Sequence, residues 1–165
     1  MKKYKYSDIS WAMKQAIVEA EHAAKDGEVP VGACILDPDG KIFTTAGNSK
    51  EGPNNPIGHA EIIAIKRAAK KLGDWRLNDY TLVVTLEPCI MCMGAIWQSR
   101  LSHVVFGAYD HKGGALSLGY NINSDKRLNH QFTMMGGVDH YNCSQLMSRF
   151  FKEKRSSYKY KKNNF

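Results

Sequence analysis

Thr81-Leu82-Val83-Val84-Thr85-Leu86-Glu87-Pro88-Cys89-Ile90-Met91-Cys92 is the stretch on which the fold turns. Thr81 to Thr85 is apolar and β-branched, the composition of a strand. Pro88 suits the first turn of a helix, where its missing N–H costs little. The spacing predicts that this helix runs to about Arg100.

Working outward, His59 to Leu72 has the apolar spacing of a helix, with Ile62, Ile63, Ile65, Ala68, Ala69 and Leu72 on its faces and Gly73 at its end. Upstream, Val31 to Leu36 is an apolar run expected to be a buried strand. Asp37-Pro38-Asp39-Gly40 is a turn, and Lys41 to Ala46 returns as a hairpin partner. A polar loop, Gly47 to Gly58, follows. The first predicted element is an amphipathic helix over 8–26, with Ile9, Met13, Ala16, Ile17, Ala20 and Ala24 at helical spacing. Asp8 is its expected cap and Gly27 its expected end. Downstream come a short buried strand at Val104 to Gly107, an extended loop over 108–130, a last strand at Phe132 to Met135, and a helix from Asn142 to about Arg155. This order predicts an α/β fold, a central mixed five-stranded sheet with helices on both faces.

Within that frame Cys89 and Cys92 form a C-x-x-C pair, and His59-Ala60-Glu61 begins another helix. The spacing of the two cysteines puts them on one face of their helix start, where the helix dipole favours thiolates. One imidazole and two thiolates suit zinc. Three protein ligands leave one tetrahedral position for water, whose pKa zinc lowers to about 7. Glu61, two residues from His59, is a carboxylate that need not bind the metal and can take and deliver that water's proton. Such a nucleophile suits an electron-poor ring carbon carrying an amino group, which leaves as ammonia. On the pair alone, two other readings stay open. C-x-x-C also occurs in thioredoxin-like redox sites and as half of a structural zinc site. Structural sites usually hold four protein ligands, whereas Cys34 and Cys143 are isolated here. Zinc and a proton shuttle do not name the base, since cytosine, adenine and guanine derivatives all carry such an amino group.

The chain of 165 residues fits one domain with a real core, and 43% hydrophobic residues describe a globular protein. No apolar run reaches the roughly 18 residues of a membrane span. Four cysteines, two of them in a metal-like pair, point to a reducing cytoplasm over a disulfide framework. The net charge is +7, and much of it lies in Lys152, Lys154, Arg155, Lys159, Lys161 and Lys162, interleaved with Tyr158 and Tyr160. Basic residues with aromatics suit a nucleic-acid contact; a solvated helix end explains them equally well. Residues 1–157 are expected to form the domain and 158–165 a basic, loosely ordered tail.

H-x-E followed by P-C-x-x-C is the recurrent signature of zinc nucleobase deaminases. Over about residues 8–156 the chain resembles the bacterial tRNA-specific adenosine deaminases of the cytidine deaminase-like superfamily. The matching stretches include Glu28-Val29-Pro30-Val31-Gly32-Ala33, Gly47-Asn48, Trp75-Arg76-Leu77, Thr85 to Cys89, Val105 to Ala108, Asp110, Lys112-Gly113-Gly114, Asn129-His130 and Phe150-Phe151. The resemblance implies a cytidine deaminase-like three-layer fold and one Zn2+ per subunit on His59, Cys89 and Cys92. It implies Glu61 as the catalytic proton shuttle and hydrolysis of the wobble adenosine of a tRNA anticodon to inosine. It implies substrate contacts at Asn48, Ala60, Asp110, Phe151 and Arg155, with Asn48 holding the purine and the last three near the anticodon loop. It further implies a cytoplasmic homodimer whose partner is the tRNA anticodon stem-loop, with no membrane.

Each carried residue has a plainer account. Asn48 and Asp110 could be turn residues. Phe150 and Phe151 point in different directions on a helix, so one is expected in the core. Trp11, Trp75 and Trp97 are assigned to packing. The chain also departs from the family. Gly58 stands where alanine is usual, which is expected to loosen the helix start. Tyr109 occupies a variable position, and Ala115 to Asn123 matches poorly. The alternative substrate is free guanine or a nucleoside. A zinc-stabilised RNA-binding subunit without activity is a third reading, against which the presence of Glu61 argues.

Overall fold

A computed structural model describes residues 5–162, with side chains described as far as Ser156. The elements are α1 (Tyr6–Lys25), β1 (Gly32–Leu36), β2 (Ile42–Gly47), α2 (Ala60–Leu72), β3 (Thr81–Leu86), α3 (Ile90–Gln98), β4 (His103–Ala108), β5 (Thr133–Met135) and α4 (His140–Lys162). The strands form one mixed sheet in the order β2-β1-β3-β4-β5. β1 is antiparallel to β2 and β3, while β3, β4 and β5 run parallel.

The period of two along the strands divides the core into two layers. Ala33, Ile35, Leu82, Val84, Val104 and Phe106 face one side, where Ala60, Ala64 and Ala68 of α2 and Met93 and Ile96 of α3 cover them. Cys34, Leu36, Val83 and Val105 face the other, under Ala12, Met13 and Ala16 of α1 and Cys143 of α4. Both faces are buried, which is why these strands read as apolar runs without alternation. Ala12, Ala16, Ala20 and Ala23 are all buried and let α1 lie close on β1. The approach is so close that a Cβ on Gly32 would fall 1.9 Å from the Ala16 carbonyl oxygen.

The three-layer α/β architecture expected from the sequence is present, with differences at element ends. α1 begins before Asp8. That residue is the third of the helix, and its carboxylate accepts the Lys5 N–H at 3.2 Å, closing the start from inside. Pro88 precedes α3 instead of opening it. Cys89 takes the cap position, and the Pro88 carbonyl accepts Ala115 N–H at 2.9 Å. The loop over 108–130 includes a bridge between Cys89 and Gly114 and a 3-10 turn (Ile122–Ser124). α4 runs past Arg155 to Lys162. The expected tail, 158–165, falls on residues whose side chains, and from 163 whose backbone, lie outside the described residues.

Of the tryptophans, only Trp97 packs partly against the core. Trp11 and Trp75 are half exposed, so packing does not account for them. Asn129 and His130 form a strap. Asn129 Oδ1 accepts the Arg100 guanidinium at 2.9 Å, and His130 Nε2 lies 2.7 Å from the Leu101 carbonyl. Gly58 does not loosen α2. Its carbonyl accepts Ser49 N–H at 2.8 Å, and a Cβ on it would lie 2.0 Å from the Ser49 carbonyl oxygen.

Candidate metal centre and active-site cleft

The carboxyl ends of β3 and β4 meet the starts of α2 and α3 on one edge of the sheet, the usual place for a ligand site in an α/β fold. His59 sits at the cap of α2 and Cys89 at the cap of α3, both with extended backbone, and Cys92 follows one turn into α3. His59 Nδ1 is 3.7 Å from Cys89 Sγ and 3.5 Å from Cys92 Sγ. Tetrahedral zinc with ordinary Zn–S and Zn–N bonds separates nitrogen from sulfur by about 3.6 Å. These three side chains are the one metal-capable group of three His, Cys, Asp or Glu among the described residues, and their donor set and spacing fit zinc.

The thiols are electrically uneven. The hydrogen bond from Cys92, and after it the His59 ring, outweigh burial and bring Cys89 down to about 4. Cys92 is pushed up by its hydrogen bond to Cys89, by burial and by the Glu61 charge. One thiolate therefore forms readily, and a divalent cation is what would let both ionise. His59 is raised, first by its hydrogen bond to Cys89.

Glu61 lies on the first turn of α2, 3% exposed, and burial raises its pKa. Its Oε2 is buried without a hydrogen-bond partner. A buried carboxyl oxygen with no partner is costly unless something from outside completes it. It lines a cleft of about 150 Å³ together with Asn48, His59, Glu87, Cys89 and Asp110. That is below the roughly 300–1,000 Å³ of sites that enclose whole small ligands, and it suits one ring system entered from outside. A larger, shallower hollow of about 490 Å³ over residues 119–127 contains none of these groups.

Two further buried carboxylates hold the cleft's loops. Glu28 Oε1 accepts Glu51 N–H at 2.7 Å and Gly52 N–H at 3.3 Å, fixing the loop that carries Asn48 and Lys50. Glu87 does the same for the loop that carries Asp110. Neither role is legible in the sequence. The only signal available was an acid beside an apolar run, as at Leu86-Glu87.

The other expected residues are placed as follows. Asn48 is in the cleft, and its Oδ1 accepts Ala60 N–H at 2.9 Å, which also caps α2. The Ala60 amide is thereby used within the protein. Asp110 lines the cleft and also closes a turn, its Oδ1 accepting Lys112 N–H at 3.0 Å. Phe151 and Arg155 do not line the cleft. Both are exposed on α4, Phe151 packing edge-on against Phe150 with centroids 5.4 Å apart.

Residues 6–108 match the cytidine and deoxycytidylate deaminase zinc-binding region. The chain belongs to this deaminase family. The deaminase chain is 45% identical, over 92% of its own length and 94% of the relative's, to the tRNA-specific adenosine deaminase of Bacillus subtilis (strain 168). It superposes with a TM-score of 0.79 and 36% identity on a structure solved in a study of A-to-I editing by tRNA:A34 deaminases at the wobble position of transfer RNA, covering 83% of this chain and 99% of that one. A guanine deaminase from Bacillus subtilis is also similar, at 30% identity and a TM-score of 0.59, over 84% of this chain and 92% of that one.

Proposed function

We propose that this chain hydrolyses the wobble adenosine of a tRNA anticodon loop to inosine and releases ammonia. The observation that carries the chemistry is the unpartnered Oε2 of buried Glu61 in a cleft beside a zinc-fitting His-Cys-Cys group. The choice of RNA is supported by the 45% identity to a tRNA-specific adenosine deaminase along nearly its whole length.

In this account His59, Cys89 and Cys92 hold one zinc, which when bound supplies a water acidic enough to act as a nucleophile near neutral pH. Glu61 Oε2 takes a proton from the attacking water and passes it to the ring nitrogen next to the carbon attacked. Glu61 then takes the second proton, from the hydroxyl added to that carbon, and delivers it to the amine, so that the C–N bond breaks, ammonia leaves and the carbonyl forms. Its burial suits both duties, because a raised pKa makes the carboxyl a better proton acceptor while leaving it able to release the proton again. Asn48, with its oxygen taken by Ala60, offers its amide NH2 to the purine. Ala60 acts indirectly by holding Asn48. Asp110 faces the RNA at the cleft mouth, while Phe151 and Arg155 contact the anticodon stem-loop farther out. An anticodon loop is single-stranded, so the base can be splayed into a small cleft at low cost.

Residues 1–157 serve as the deaminase domain, and 158–165 as a basic extension toward RNA. The chain works as a homodimer in the cytoplasm. Exposed Ile57 and Ile90 beside the two ligand-bearing helix starts support the first of these, and four free cysteines the second. Light scattering that reads a monomer, or cell fractionation that finds the chain secreted, would remove the corresponding statement. No helix among the described residues is long and apolar enough to cross a membrane.

Glu61→Gln tests the mechanism. The variant is expected to keep one zinc per chain and its RNA affinity, with turnover reduced about 10²–10⁴-fold. An unchanged rate would remove Glu61 from the chemistry. Free guanine is the competing substrate, supported by the 30% identity to a guanine deaminase.

A further inference from the structure

Glu87 is a buried, fully bonded carboxylate that the metal chemistry does not use. It follows β3, two residues before Cys89, and is 2% exposed. Its carboxylate accepts three hydrogen bonds: from Asp110 N–H at 3.0 Å, Ser117 N–H at 2.7 Å and the Ser117 hydroxyl at 2.6 Å. All three donors belong to one loop, 110–117. Backbone contacts fasten the same loop to the start of α3, through Ala115 N–H to the Pro88 carbonyl and the bridge from Cys89 to Gly114. The loop backbone lies flat against the carboxyl group, since a Cβ on Gly114 would fall 2.3 Å from Glu87 Cδ.

No cation among the described residues forms a salt bridge with this acid. Without Glu87 the Asp110 and Ser117 N–H groups would lose their acceptor. A fully satisfied buried polar network specifies one arrangement of the groups it joins. Here it joins the start of the cysteine-bearing helix to Asp110.

We propose that Glu87 is a positioning residue that sets Asp110, and with it the 110–117 loop, at a fixed offset from the metal centre. The part of the proposal that concerns substrate rests on the RNA-editing function above; the clamp itself does not. Glu87 acts through Asp110, so its removal weakens recognition of the stem-loop and leaves the chemical step nearly intact. Ser117, within the segment that matches the family poorly, supplies two of the three bonds.

The test is Glu87→Gln, which keeps the shape but turns an NH2 group toward a donor. For an anticodon stem-loop, KM is expected to rise about tenfold or more, with kcat within about threefold of wild type and zinc still one per chain. In an Asp110→Ala background the same substitution adds little, because both changes act on one contact. Hydrogen exchange at Asp110 and Ser117 is expected to quicken at least about tenfold, with the α2 amides unchanged. An unchanged KM, or additive effects in the double variant, overturns the proposal. If the wild type makes no inosine, the RNA function fails, and the exchange result alone decides the clamp: unchanged exchange overturns it and faster local exchange supports it. Should Glu87→Gln not fold, Ser117→Ala removes the hydroxyl bond and raises KM by several-fold, and no rise overturns the proposal.

Discussion

Glu28, Glu61 and Glu87 are three buried carboxyl groups with different surroundings, and their chemistry follows from that difference. Glu61 has an oxygen that nothing in the protein satisfies, while the other two accept backbone N–H groups from loops. A saturated carboxylate is suited to positioning, and one with an unsatisfied oxygen to proton transfer. Glu28 makes this measurable. Burial works to raise its pKa, yet the Lys50, Gly52 and Glu51 N–H groups and the Lys50 charge outweigh it and hold the group below its usual 4.5. A depressed carboxyl stabilises the fold above its unfolded pKa and loses that contribution as pH falls through the folded value. Stability is therefore expected to drop below about pH 4.5 partly through Glu28. Urea midpoints in that window should fall less steeply in Glu28→Gln than in wild type; equal slopes would show that Glu28 contributes nothing there. These roles were not legible in the sequence. Glu87 is 23 residues from Asp110 and 30 from Ser117, and a lone acid carries no periodic signal. His59, Glu61, Cys89 and Cys92 were legible because zinc chemistry fixes both their types and their spacing.

At the scale of elements, α2 and α3 are tied by their first residues. His59 at one helix cap and Cys89 and Cys92 at the other converge on one point, so a metal held there crosslinks the helix starts. Zinc binds the folded arrangement far better than the unfolded chain and adds to stability by linkage. Chelation is expected to abolish activity and to lower Tm, with both restored by added zinc. An unchanged Tm would mean that the helix starts need no metal to hold them. The elements themselves were readable, since runs such as Thr81 to Leu86 and the alanine face of α1 follow directly from burial on both sides of the sheet. Their ends were less so. Asp8 and Pro88 each have the chemistry of a helix start, but either can sit a residue or more from the cap, and the choice depends on distant partners such as Ala115. Asn129 and His130 match the family, and their side chains strap the turn at Arg100 and Leu101, a long-range contact that no local pattern announces.

The whole molecule carries a net charge of +7, and Lys152, Lys154 and Arg155 are exposed on α4. For a polyanionic substrate, each phosphate contact adds about −0.7 to the slope of log affinity against log salt. Raising salt is expected to increase KM for an anticodon stem-loop steeply, while a neutral small molecule would show almost no change. A flat salt dependence on the stem-loop would place its phosphates away from the basic surface. Substrate class is the feature that the fold cannot supply, because it is shared with a guanine deaminase. The most direct measurement is therefore inosine formation by the zinc-loaded protein on an anticodon stem-loop with a wobble adenosine. Free guanine, adenosine and cytidine run alongside, with ammonia as their readout. The account predicts inosine in the stem-loop and no ammonia from the small molecules. Ammonia from guanine or a nucleoside, with the stem-loop untouched, would contradict it.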